Sequence, residues 1–330
     1  MVATPYPDDA THRLRELLRE GRFREAVDWF ESNARAELRG RPDAQLLTAT
    51  AAMRVGDLGL ATTLATAALG QFRVRGDFDG QMRAYNLLGA VHWERGRLAE
   101  AERYFAEALD LACRLEDSLI AGHACNNLAS VVHLRGRPDE AVGIYRGALL
   151  SYQRVGDRRG TAQTYHNLSL AFRQMADWQE ADTAVTQAVR HAEFVGEASL
   201  MALTSTGRAE LRIDQGDTAV AAQELRRASA LAERAGDPIG GAEVRRIRAL
   251  LALKEGQPEL AASEAEAARA TAEAHESALL QAECAAVCAL AHRAAGRAAD
   301  AERRRKEALA GFAALGAARL AERFEADWSA

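Results

Sequence analysis

Four of the five asparagines in the chain, Asn86, Asn126, Asn127 and Asn167, fall at two adjacent positions of a pattern that recurs every 40 residues. A side-chain amide offers both a donor and an acceptor, the complement of a peptide unit, so a row of amides can hold the backbone of an extended segment. Asparagine is a poor residue for the middle of a helix, because its side chain competes for backbone hydrogen bonds. Concentrating it there needs a reason: either a clamp on a partner's backbone, or bridges between neighbouring helices. The same mapping places Arg83, His123, Gln163, His166, Arg173 and Gln174 beside the amides, where they would read side chains or a terminal carboxylate. Trp93 either anchors a ligand side chain or packs between repeats.

His123, His133 and His166 could in principle hold zinc, but helical repeats rarely converge three rings on one point, so polar contacts are expected instead. Cys284, Cys288 and His292 are spaced like a ligand row. Cys288, however, shares its slot with Leu88, Leu128 and Leu168, and His292 shares one with Val132 and Phe172, so all three are read as buried packing. No metal and no cofactor are expected. The only lysines, Lys254 and Lys306, lie outside any glycine-rich loop. HExxH, GxSxG and dinucleotide fingerprints are missing, so the chain reads as non-enzymatic. The run Arg303 to Lys306 reads as a solvated helix face.

Charge and composition narrow the classes further. The 330 residues are 48% hydrophobic and 27% charged, with a net charge of −5. That leaves no bulk electrostatic footprint for nucleic acid or an anionic membrane. No apolar run is long enough to span a bilayer, and Met1 to Thr11 lacks the pattern of a secretory leader. Four scattered cysteines suit a reducing compartment, so the expected location is the cytoplasm.

The elements that must position these residues are helices. Turn signals at Gly56, Gly96, Gly136, Ala176, Gly216, Gly256 and Gly296 are spaced by 40, with a second set halfway between at Gly76, Glu116, Gly156, Gly196, Gly236, Glu276 and Gly316. Glycine ends helices and a following Asp caps the next one. Five residues after each first-set turn stands an alanine, from Ala61 to Ala301, and seven later another, from Ala68 to Ala308. Fourteen alanines in register imply close helix crossings with room for a methyl. A third slot in the first helices, Gly89, Ala129, Ser169, Ala209, Ala249 and Ala289, is also small.

A two-helix unit with one small residue in its first helix and two fixed alanines in its second resembles the tetratricopeptide repeat. Tyr85, Tyr165, Phe105 and Tyr145 fit its aromatic slots in part. The 40-residue period is similar to the long-helix variant of kinesin light chains, bacterial peptide-pheromone receptors and actinobacterial regulator arrays. The resemblance implies an all-α, right-handed superhelical solenoid of antiparallel helix pairs whose first helices line a concave face. It also implies that asparagines at the Asn86, Asn126, Asn127 and Asn167 slots hold peptide backbone. The expected organisation is an N-terminal pair over 1–40, seven pairs over 41–316 and a capping helix over 317–330. The polar side of that last helix (Arg319, Glu322, Arg323, Asp327) is expected to be solvating.

The expected function is a scaffold that holds a protein or peptide partner in the groove, without nucleic acid or membrane. Leu203, Ile213, Ile247, Leu250 and Leu253 would give the groove an apolar end. Two other readings remain: a ligand-sensing regulator acting through a separate effector, and a structural homo-oligomer.

Overall fold

The computed structural model describes residues 7–33 and 40–329, which form seventeen α-helices and no strand. The first six residues and 34–39, which the sequence reading assigns to the N-terminal pair, lie outside the described residues. Helices α1 (Pro7–Arg19) and α2 (Phe23–Asn33) come first. Seven pairs follow: α3 (Pro42–Arg54) with α4 (Leu58–Arg75), α5 (Phe78–Glu94) with α6 (Leu98–Arg114), α7 (Ser118–Leu134) with α8 (Pro138–Val155), and α9 (Arg158–Gln174) with α10 (Trp178–Val195). Then come α11 (Ala198–Asp214) with α12 (Thr218–Ala235), α13 (Pro238–Lys254) with α14 (Pro258–Ala274), and α15 (Ala278–Ala294) with α16 (Ala298–Leu315). Helix α17 (Ala318–Ser329) ends the chain.

Every one of the fourteen turn positions read from the sequence has a positive φ. At Gly76 the left-handed turn lets Asp77 donate its N–H back to Phe72 O at 2.9 Å, closing one helix. The Asp77 carboxylate then accepts from the Gly80 N–H at 2.9 Å and opens the next. One glycine and one aspartate thus satisfy orphan groups of two helices. Glu116, Ala176 and Glu276 hold the same conformation with a side chain, at φ 55°, 58° and 53°.

The chain divides into two compact units, Met1–Ala124 and Cys125–Ala330. In the first, Leu14, Leu17, Phe72, Met82 and Leu88 are almost fully buried. In the second, the core runs through Tyr145, Tyr152, Leu211, Leu225 and Ile247. All fourteen register alanines are buried, Ala301 showing 2% exposure and the others none. Gly89 shows how tight the small slot is, since a methyl there would come within 2.6 Å of the Phe105 ring. Within the second unit, α9 touches α11, α11 touches α13 and α13 touches α15, so the first helices of successive pairs form one continuous layer.

Two side-chain readings change. Ile247, expected in the groove, is fully buried in the core. The basic run is only partly solvated: Arg304 holds Glu266 through two hydrogen bonds of 2.8 and 2.7 Å, and Arg305 pairs with Glu325. The half-buried carboxylate of Glu266 also meets buried His292 at 3.2 Å, which accounts for that histidine. Cys284 and Cys288 are fully buried, and burial pushes the Cys288 thiol up to about 12.

Replacing a register alanine tests the packing constraint. Ala188→Leu adds three carbons where the backbone leaves room for one. It should cost roughly 1–3 kcal/mol, read as a lower midpoint in urea, whereas the same change at exposed Ala176 should not.

Candidate functional site

The second unit contains a cavity of about 1010 Å³. Its walls come from the C-terminal ends of α9, α11 and α13 (Arg173, Gln174, Glu210, Ile213, Asp214, Leu250, Leu253, Lys254), from Trp178 at the start of α10, and from α17. First helices supply most of it because their C-terminal turns stack at the same height every 40 residues. Ile213, Leu250 and Leu253 make an apolar floor, and Trp178, 44% exposed, stands at its edge. Arg319, Glu322, Arg323 and Asp327 of α17 face this space. The side expected to be merely solvating is therefore a wall of the cavity.

An ion-pair ladder starts in the cavity wall itself, at Arg173, Glu210 and Asp214. Arg173, with 4% of its side chain exposed, binds Glu210 at 2.8 Å and Asp214 at 2.7 Å, both on the next first helix. Two repeats beyond Arg173, Arg246 bonds Glu243 through Nε at 2.9 Å, stands 3.9 Å from Glu210 and reaches Glu283 at 4.0 Å. Burial opposes a charge on Glu210, but Arg173 and Arg246 outweigh it and hold the carboxyl down to about 2. Burial, with Glu243 and Glu210 adding to it, pushes Glu283 up against the opposing pull of Arg246. Glu210 escapes the sequence reading altogether. The signal was present: Asp214 and Glu210 stand 41 and 37 residues beyond Arg173, close to one period.

Of the residues singled out from sequence, Arg173 and Gln174 line the cavity, as do Ile213, Leu250 and Leu253 of the expected apolar end. Asn126 is buried, and its Oδ1 accepts from Thr164 Oγ1 and from Asn167 Nδ2, both at 3.1 Å, so these amides bridge α7 and α9. Asn127 and Gln163 are half-buried on the same helices. His166 is buried against Gly207, where a methyl would come within 2.6 Å of its Nδ1. Burial lowers His166 to about 4, and it lowers half-buried His133 to about 4 as well. Arg83, Asn86, Trp93 and His123 belong to the first unit. There Arg83 pairs with Asp79 at 2.7 Å, the Oδ1 of Asn86 is buried without a hydrogen bond, and Trp93 and His123 are half-buried. Among the described residues no group of three His, Cys, Asp or Glu side chains is placed to hold a metal, and no helix is long and apolar enough to cross a membrane.

Residues 42–114 and 121–193 match the tetratricopeptide repeat family model. These residues are thus matched as tetratricopeptide repeats, and the same two-helix unit runs from α3 to α16. Among curated proteins, regulatory protein AfsR of Streptomyces griseus is 31% identical over 135 residues, 39% of this chain and 13% of that protein. The chain therefore matches only a small part of that relative's length. Among solved structures, a Rap protein complexed with Competence and Sporulation Factor aligns with a TM-score of 0.74 at 14% identity, over 88% of this chain and 79% of that one. A Rap conjugation gene regulator in complex with the Phr* peptide aligns with a TM-score of 0.68 at 16% identity, over 83% and 74%. At these identities the likeness is one of fold.

Two outcomes follow from the ladder. Arg173→Met leaves Glu210 and Asp214 without their guanidinium and should lower unfolding stability by about 3–5 kcal/mol in denaturant titration. Histidines held neutral to about 4 take up protons only in the unfolded chain between pH 6.5 and 4. Stability should therefore fall with pH across that window, and His133→Gln should make the fall in Tm shallower.

Proposed function

We propose that the protein is a non-enzymatic binding module whose second unit holds an extended segment of a protein or peptide partner in the cavity lined by α9, α11, α13 and α17. The observation that carries this is the cavity: about 1010 Å³, with an apolar floor of Ile213, Leu250 and Leu253 inside a charged rim. A site of that size with few oriented polar groups suits a short run of side chains. The two Rap structures of like fold are complexes, one with Competence and Sporulation Factor and one with the Phr* peptide, and they support the reading by analogy of fold.

Within this proposal, Gln163, Asn127 and the Asn126–Asn167 bridge form a polar approach to the floor, and Arg173 and Gln174 stand where the two meet. Since Asn126 and Asn167 also tie α7 to α9, their removal would disturb packing as well as binding. The apolar floor is the cleaner place for a test.

A second reading has a specific support. The matched relative is named a regulatory protein, so the bound segment would be a signal that the chain reports to an effector. Small-angle scattering that changes on saturation with a bound peptide would favour it over a passive scaffold.

The groove itself is tested by selecting linear peptides from a displayed library on the full-length chain. Leu253→Glu places a charge on the apolar floor at a half-buried position. It should weaken the selected peptides at least about tenfold, roughly 1.4 kcal/mol, with Tm unchanged. Equal binding by the variant would remove the site from this cavity.

A further inference from the structure

Three successive second helices, α8, α10 and α12, carry a surface in their C-terminal stretches that the cavity does not use. Four slots of the 40-residue period face solvent there. The first holds Arg146, Thr186 and Arg226, the second Leu150, Arg190 and Ala230, and the third Arg154, Phe194 and Arg234. The fourth, next to the turn, holds Val155, Val195 and Ala235. All twelve residues are exposed, Leu150 at 62% and Phe194 at 69%. None is a carboxylate, although acidic residues outnumber basic ones over the whole chain. One repeat further the first slot holds Glu266, so the pattern stops at α12.

The fold draws these charges together. Arg158, at the start of α9, lies over the Phe194 ring, its guanidinium carbon 4.0 Å from the centroid. Burial lowers half-buried His191, and the charges of Arg158 and Arg190 lower it further, so both guanidinium groups come near one ring. Among the described residues, Arg146, Arg154, Arg158, Arg190, Arg226 and Arg234 form no hydrogen bond or ion pair. The carboxylates of residues 146–160, 186–200 and 226–240 are mostly engaged already. Glu193 holds Arg227 at 2.6 Å and Glu197 holds Arg159 at 2.9 Å, while Asp157 and Asp237 accept from the Gly160 and Gly240 N–H groups. Glu233 alone is left to set against six arginines.

We propose that this surface docks a protein partner through an acidic amphipathic segment, whose carboxylates pair with Arg154, Arg158 and Arg190 and whose apolar side chains cover Leu150, Phe194 and Val195. Arginine suits the task, because its planar fork holds a carboxylate through two hydrogen bonds. The interleaving selects the partner. Along α8, Leu150 lies one turn from Arg146 and one turn from Arg154, and along α10 Arg190 lies one turn from Phe194. Apolar and charged contacts therefore alternate about every 6 Å, the interval at which a facing helix presents its own one-turn neighbours. A bilayer would need the apolar side chains gathered on one face, apart from the charges. A single-stranded nucleic acid would need an open ring to stack on, whereas Arg158 covers a face of Phe194. Trp178, which borders the cavity, stands at the other end of α10, about 24 Å of helix from Phe194. Cavity and surface can be filled at once, and neither reading rests on the other.

The test is fluorescence anisotropy on the full-length chain with three labelled helical peptides. The first has Leu on one face and Glu on the other, the second has Ser in place of Leu, and the third has Lys in place of Glu. The first should bind, more weakly as salt rises, and the other two should bind at least about tenfold more weakly. Arg154→Glu with Arg190→Glu should weaken the first peptide at least about tenfold while the circular dichroism spectrum is unchanged. Leu150→Ser, which leaves every charge in place, should weaken it as well. Leu253→Glu, on the cavity floor, should leave it unaltered. Equal binding by the charge-reversed chain, or equal affinity for the Ser peptide, would overturn the proposal. Sensitivity to Leu253→Glu would move the peptide to the cavity and overturn it too. Tighter binding to phosphatidylserine vesicles or to a single-stranded oligonucleotide, lost on the same charge reversal, would make this a membrane or nucleic-acid surface instead.

Discussion

The close approach of helices at the register alanines is the constraint on which the rest of the second unit depends. A methyl at each crossing fixes how near successive helices come, and the constant period fixes how far each pair is displaced from the last. Only with that spacing held does a guanidinium on one first helix reach carboxylates on the next. Arg173 spans that distance to Glu210 and Asp214, and Arg246 extends the row towards Glu283. A looser crossing would leave these charges separated and solvated, and the floor of Ile213, Leu250 and Leu253 would lose its continuity.

The ladder carries a cost, since buried ion pairs repay their desolvation only with good geometry. Arg173 has it, with Nε and both terminal nitrogens engaged. Arg246 is less fully matched: Glu243 holds it closely, and the other two carboxylates stand 3.9 and 4.0 Å away. The row is therefore firm at α9 and looser towards α15, on the side where α17 approaches.

The helices and turns were legible because their signals are local and repeated. Glycine or a substitute at each turn, aspartate after it and alanine at two fixed offsets specify a helix pair without reference to anything distant. Even Ala176, which lacks the glycine signal, could be placed from the period alone. The site was only partly legible, because its partners lie one repeat apart. Arg173 stood out as an inward position, but Glu210 did not, since nothing in its own helix distinguishes it from a solvated glutamate. The sequence leaves a clamp and a bridge open for Asn126 and Asn167, and the bond between their amides depends on how α7 and α9 pack. The position of α17 was hidden for a different reason. A terminal helix with a polar face reads as a cap, and its contact edge with Gly136, nearly two hundred residues away in sequence, leaves no periodic trace.

The near-exclusive use of arginine for positive charge has a chemical consequence at the cavity. Of 42 basic side chains, only Lys254 and Lys306 carry a primary amine. Lys306 is 76% exposed on the outer side of α16, whereas Lys254 lines the cavity. Acylation of lysine side chains has just these two targets, and one of them lies on the cavity wall. The same scarcity leaves the chain few handles for modifications that build on a lysine amine: one on the cavity wall and one on the exposed side of α16.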